Sequence, residues 1–266
     1  MPCIKPAERS SLRIDSLDAI VGRHHVPKML LSGYRIFPRL FEPTLIAAAL
    51  SAVEELCDSL HPGDPRWDKH VVPLAGLKDH RNPGISKETT VEVPFLLTSL
   101  PQLSPALRAV ILFPSLWEAA REILESEDVV CHFSNVTRKP ARIGPNISWH
   151  RDYPNGYICP RKSEHFFRFL IPLENMDEEN GCTLAIPDTH LLGDEEALRE
   201  PKDADYSKAI PLEAEAGAAI AIHPKLLHGG RENRSERNRN LIVVQFGRRT
   251  GDFLHDLNEE EIEQFT

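Results

Sequence analysis

The sequence predicts a mainly β protein, a jelly roll or β-sandwich with helices on one side. Three observations predict it. An amphipathic helical pattern lies near the start of the chain, five short β-rich runs follow residue 128, and turn-forming breakers separate those runs. Many short strands after a helical beginning suit packed sheets flanked by helices. With 266 residues the chain can bury a full hydrophobic core in one large domain.

Taken in order, residues 1–31 are polar and mixed, and they read as an N-terminal arm or lid. SGYRIFPRLF (32–41) reads as a short strand and a turn. PTLIAAALSAVEELCDSL (43–60) sets Leu45, Ile46, Ala49, Leu50, Val53, Leu56, Cys57 and Leu60 at the three-four spacing of a helix with one apolar face. Pro43 suits its first turn, where no N–H donor is needed. The span 61–95, rich in Pro, Gly, Asp and His, reads as a long loop with little regular structure that could cover a site. His61, His70 and His80 within it read as solvated rather than ligating. Ser115-Leu116-Trp117-Glu118 fits a capping box, so a second helix is expected to begin at Ser115. The β-rich runs are VVCHFSNVT (129–137), FFRFLIPL (166–173), CTLAIP (182–187), GAAIAIHP (217–224) and NLIVVQFG (240–247). KPARIGPN and NMDEENG read as breakers between them. Residues 251–266 read as an acidic C-terminal tail. No internal repeat occurs.

Composition excludes several classes. The hydrophobic fraction of 41% and charged fraction of 27% are ordinary for a globular chain. A net charge of -9 argues against nucleic acid or an anionic membrane as partner, since both need a cationic face. The five cysteines form no CxxC pair, which speaks against a zinc knuckle or a disulfide framework. Free thiols suit a cytoplasmic location. The N-terminus lacks the apolar centre of a signal peptide, and no apolar run approaches the roughly 18 residues of a membrane span. Oligomeric state is not readable, as no heptad pattern occurs.

The chemistry concentrates in SWHRDY (148–153). In a strand, residues two apart face the same side, so His150 and Asp152 could reach one point with Arg151 turned away. A second histidine must come from a distant strand. His223 and His228 are both available, and His228 is favoured: Gly229 and Gly230 follow it and leave room for a ligand, whereas His223 precedes Pro224. Two histidines and one carboxylate form the facial triad of non-haem Fe(II) oxygenases, which keeps coordination positions open. Eleven residues after His228, Arg239 leads into the strand LIVVQF. Its fork can bind both oxygens of a carboxylate, as a dicarboxylate cosubstrate such as 2-oxoglutarate would require. Arg237 is a rival in the same turn.

These residues resemble the phytanoyl-CoA dioxygenase-like branch of the Fe(II)/2-oxoglutarate oxygenases. The resemblance runs from about residue 32 to 248, within an expected domain of residues 32–250. SGYRIFPRLFEPTLIAAALSAVEEL is similar to the family's opening strand and helix, and WHRDY to its HxD motif. IPLENMDEENGCTLAIPDTH is similar to its central segment, and HPKLLHGGRENRSERNRN to its distal motif. The resemblance implies a double-stranded β-helix, the cupin-like jelly roll. It implies Fe(II) on His150, Asp152 and His228, with 2-oxoglutarate and O2 as cosubstrates. It places the distal carboxylate of 2-oxoglutarate on Arg239, adds a hydroxyl from Thr183, and puts Asn135 beside the cosubstrate. His190 matches a histidine that is usually structural. Two positions depart from the pattern: Gly230 stands where many relatives have Ser, and Leu170 where some have Trp. Asp152 speaks against halogenation, because related halogenases have Ala or Gly there.

The implied reaction is hydroxylation of an unactivated C–H bond of a small, possibly anionic, metabolite or natural-product intermediate, with desaturation or cyclisation as variants. Arg161, Arg168 and Tyr153, in the segment after HxD, are the candidate substrate-binding residues, and Lys162 and His165 lie in the same basic loop. Two other readings stay open at this point. One is a catalytically silent jelly-roll binding protein; the other is a non-oxidative metalloenzyme that would not need Arg239.

Overall fold

The computed structural model describes residues 31–76, 90–156, 158–197, 204–249 and 252–255. The expected arm, apart from Leu31, and His80 lie outside them. In chain order the elements are β1 (Tyr34–Phe37), α1 (Pro43–Ser59), α2 (Pro65–His70), β2 (Val71–Pro73), β3 (Pro94–Thr98), α3 (Leu100–Leu103), α4 (Pro105–Ile111) and α5 (Pro114–Leu124). There follow β4 (Val129–Lys139), β5 (Ile147–His150), β6 (Phe166–Pro172), β7 (Thr183–Ile186), α6 (Asp194–Ala197), β8 (Ile210–Leu212), β9 (Ala219–Ile222), β10 (Leu227–Gly230) and β11 (Arg239–Arg248). Seven strands pair in the order β1-β9-β6-β11-β4-β3-β2, and four in the order β5-β10-β7-β8. Every pairing is antiparallel.

Side-chain alternation along the large sheet divides the molecule. Phe167, Phe169 and Ile171 of β6, with Ile242, Val244 and Phe246 of β11, join the helices in one apolar cluster. The alternate residues face the small sheet: Leu170, Ile220, Ile222 and Leu241 pack with Leu184, Ala185 and Leu212 in a second cluster. Period-two geometry makes this division automatic once the strands are paired. It also explains why β6 is buried along its whole length and reads as a continuous apolar run. Helix α1 lays Ile46, Ala49, Val53 and Leu56 on the outer face of the sheet, as its spacing predicts.

Two expectations need correction. The capping box at Ser115 does not form: α5 begins at Pro114, its N-cap is Phe113, and no side chain caps it. Proline's fixed φ starts the helix without that hydrogen bond. The span 61–95 carries more order than a loop. Asp64 caps α2 by accepting from Arg66 N at 2.7 Å, and β2 pairs with β3 at the sheet edge. Within the expected acidic tail, 251–266, the described residues 252–255 pack on the domain: Phe253 is buried and bridges to Pro160. No helix among the described residues is long and apolar enough to cross a membrane.

Candidate active site

Strand β10 lies between β5 and β7, and its register sets His228 directly opposite His150. The two ring centroids are 4.3 Å apart. Each Nδ1 is held by a backbone carbonyl two residues earlier, His150 by Ser148 O at 2.8 Å and His228 by Leu226 O at 2.9 Å. A carbonyl can only accept, so each Nδ1 carries the proton and each Nε2 presents its lone pair. Asp152 Oδ1 lies 3.7 Å from His150 Nε2, and Oδ2 lies 3.8 Å from His228 Nε2. One ligand atom from each residue falls within 4.8 Å of the others, and among the described residues this is the one cluster able to hold a metal ion.

Strand alternation is not what brings Asp152 to the point. Strand β5 ends at His150, and Asp152 sits in the bend beyond it. The backbone N–H groups of Asp152 and Tyr153 both donate to Pro224 O, at 2.8 and 3.0 Å. That anchor to the turn after β9 swings the carboxylate under the histidines. Arg151, expected to face away, lies on the cavity wall and donates from Nε to Lys225 O at 3.0 Å.

The Asp152 carboxylate is also paired with Arg168 Nη1. Arg168 projects from the cavity side of β6, and its Nε donates to Gln245 Oε1 at 3.2 Å. Gln245 in turn donates to Ile158 O at 2.7 Å and to His132 Nδ1 at 3.0 Å. Burial pushes His132 down to about 3, so it stays a neutral acceptor. Arg168 is therefore engaged by the metal-site carboxylate. Sequence reasoning missed this network because Gln245 and His132 are scattered along two strands with no motif of their own.

The other two substrate candidates lie elsewhere. Tyr153 is buried against Phe166, and its hydroxyl donates to Arg161 O at 2.8 Å. Arg161 pairs with Asp252 at 2.7 Å. Neither lines the cavity. A basic loop after HxD says nothing about which way its side chains point, and here Arg161 is taken by Asp252 and by Phe253 O.

A cavity of about 360 Å³ runs between the sheets from the histidine pair to Arg239. Asn135, Thr137 and Lys139 of β4 line it, with Leu170, Thr183, Leu241 and Val243. Arg239 is 3% exposed, and its Nε has no hydrogen-bond partner among the described residues. Burial lowers its guanidinium to about 10, which leaves it cationic at neutral pH. Arg237, named as its rival, is turned outward to Asp177 at 2.7 Å and does not line the cavity. The turn that delivers Arg239 is built by motif residues: Asn233 donates to Lys139 O at 2.9 Å and to Arg237 O at 2.7 Å, while Ser235 donates to Asn233 Oδ1 at 2.8 Å. Gly181 turns with φ +78°, and a Cβ there would meet Arg231 O at 2.6 Å. Only glycine lets that turn close against the neighbouring backbone. His223 is buried against His190, at 5.3 Å between rings, and accepts from Lys225 N; neither histidine lines the cavity.

The family profile described as phytanoyl-CoA dioxygenase (PhyH) matches residues 30–241. A dioxygenase of Aspergillus aculeatus, aneA, is 32% identical over 152 residues, which is 53% of this chain and 49% of that protein. The chain spans about half the length of the curated relatives it matches. Among solved structures, the non-heme alpha ketoglutarate dependent carbocyclase SnoK from nogalamycin biosynthesis aligns with a TM-score of 0.64 at 18% identity, over 84% of this chain and 83% of that one. The epimerase SnoN, solved with Fe3+, alpha ketoglutarate and a nogalamycin ligand, aligns at 0.62 and 15% identity, over 84% and 82%. These likenesses show the fold, a double-stranded β-helix.

Proposed function

Because the chain belongs to the phytanoyl-CoA dioxygenase (PhyH) family, we propose that it is an Fe(II)/2-oxoglutarate-dependent dioxygenase that hydroxylates a C–H bond of a small molecule. The observation that carries the reading is one cavity with a His150–Asp152–His228 cluster and, lining it too, the buried Arg239. The donor set fits the metal. Two imidazole nitrogens and one carboxylate suit an exchangeable divalent iron, and no thiolate joins the cluster to favour zinc. The unpartnered Arg239 Nε fits a carboxylate-bearing cosubstrate.

When bound, Fe(II) and 2-oxoglutarate supply the oxidising power, as dioxygen oxidatively decarboxylates the keto acid to succinate and carbon dioxide. The chain's own residues do the rest. Ser148 O and Leu226 O hold both imidazoles in the ligating tautomer. Arg168 fixes the Asp152 carboxylate. Arg239 takes the distal carboxylate of the cosubstrate, Thr183 adds a hydroxyl to it, and Asn135 lines its path. Leu170, Leu241 and Val243 exclude water and seat the reacting carbon. The substrate is a small metabolite or natural-product intermediate, in keeping with the size of the cavity and with relatives named for natural-product biosynthesis. With Arg161 and Tyr153 outside the cavity and Arg168 on Asp152, the predicted trio no longer argues for an anionic substrate.

The test is succinate formation from 2-oxoglutarate under air with Fe(II) and ascorbate, for wild type and Asp152→Ala. Slow substrate-free turnover that is lost in the variant supports the reading. No turnover, together with no anaerobic binding of 2-oxoglutarate, would sink it in favour of a silent jelly-roll protein.

A further inference from the structure

Lysine is almost never fully buried unless its charge is paired. Lys139 is 1% exposed, ends β4, and stands directly across from Arg239 in the β4–β11 register. Its ammonium donates to Gly181 O at 3.0 Å and to Arg231 O. An ammonium has three N–H donors, and among the described residues nothing takes the third. Glu232 and Glu174, the acidic groups that act on Lys139 and Arg239, do so from beyond ion-pair contact. Both cations line the same cavity. A Cβ at Gly230 would sit 3.1 Å from Lys139 Nζ, so the amine stands beside the place where a serine hydroxyl would be. Burial, and then the neighbouring Arg239 guanidinium, hold the Lys139 amine well below its ordinary value, and an anion seated between the two groups would favour its charged form.

We propose that Lys139 is a second binding group of the cosubstrate seat, donating its third N–H to the distal carboxylate that Arg239 holds. The inference rests on the oxygenase reading above. In this chain the absent side chain at Gly230 makes room for a cation in place of a hydroxyl. With a carboxylate bound, the seat holds two cations around it, and it selects a keto acid that carries a second carboxylate.

The experiment is calorimetric titration of 2-oxoglutarate into the full chain loaded with Mn(II), an inert stand-in for Fe(II). It compares wild type, Lys139→Met and Lys139→Gln. Glutamine has two amide donors for the Gly181 and Arg231 carbonyls, on a side chain one atom shorter, and removes the charge and the third N–H. Titration of Mn(II) alone, expected to change by no more than about twofold, shows that each variant holds its fold; should Lys139→Met fail this, Lys139→Gln decides. The expected result is a 2-oxoglutarate Kd weaker by roughly tenfold or more in both variants, the size of one lost charge-assisted hydrogen bond. Wild-type affinity in Lys139→Gln overturns the proposal and leaves Lys139 as a backbone staple. If wild type takes Mn(II) but no 2-oxoglutarate, the oxygenase reading itself fails first, which is a separate outcome.

Discussion

His150 and His228 use one device twice. Each spends its Nδ1 proton on the carbonyl two residues back, so the ring cannot turn over and the ligating nitrogen is chosen before any metal arrives. Asp152 is held by a different partner, the Arg168 guanidinium. Removing that partner should loosen the ligand without deleting it. Arg168→Met is expected to weaken Mn(II) binding by roughly 10- to 100-fold, the range for loss of a group that orients a metal ligand. Unchanged Mn(II) affinity would assign Arg168 to the substrate instead. The arginines of the distal turn should separate just as sharply. Arg239→Met is expected to weaken 2-oxoglutarate by roughly 10- to 100-fold in the Mn(II)-loaded protein, and Arg237→Met to leave it unaltered, because Arg237 faces Asp177 at the surface. The histidines, Asp152 and Arg239 were legible in the sequence because their residue types and order are distinctive. Lys139 was not. It sits in KPARIGPN, whose prolines and glycine read as a breaker, and only the pairing with β11 reveals that it ends a strand inside the molecule.

Among the elements, those that formed long periodic patterns were legible and those of a few residues were not. Helix α1 repeats its apolar spacing over four turns. By contrast α3, α4 and β10 are too short for any period to show, and LHGG carries no strand propensity at all. Strand β10 exists because β5 and β7 flank it. The two serines before helices make a clean comparison. Ser104 caps α4 by accepting from Ala106 N at 3.2 Å, whereas Ser115 lies inside α5 and caps nothing. Ser104→Ala should therefore cost about 1 kcal/mol and Ser115→Ala less than about 0.5 kcal/mol, measured by urea unfolding. Equal losses would restore the capping box. On β11, a Cβ added at Gly247 would lie 2.2 Å from His132 Cε1. That ring is fixed by Gln245, so Gly247→Ala is expected to destabilise by about 1–3 kcal/mol, seen as a lowered Tm.

For the whole molecule, the buried titratable groups set an acid limit. Burial lowers His132 to about 3 and pushes His223 well below its ordinary value. Their unfolded pKa is higher, so unfolding takes up protons once the pH drops under about 6.5. The stability they contribute is complete above that pH and is lost as the pH falls toward their folded values. Glu174 works in the opposite sense. Burial raises it from 4.5 to about 7, so its contribution declines as the pH rises through that window. Two histidines outweigh one carboxyl, so the urea midpoint should be lower at about pH 5 than at about pH 7.5. Glu174→Gln should enlarge that drop, and equal midpoints at the two pH values would contradict the neutral burial of the histidines. The fold class was readable from the alternation of strands and breakers, but the direction of individual side chains after HxD was not, because it depends on distant partners, Asp252 for Arg161 and Gln245 for Arg168. The two faces of the large sheet have a consequence for how such a protein can change. Positions 135, 137, 170, 241 and 243 look into the cavity, while 136, 169, 171, 242 and 244 look toward the helices. Ligand preference and structural integrity are therefore written in interleaved letters of the same strands. Exchange of single cavity-facing letters can retune what the protein accepts while the packing text stays intact, but insertion or deletion of one letter garbles both at once.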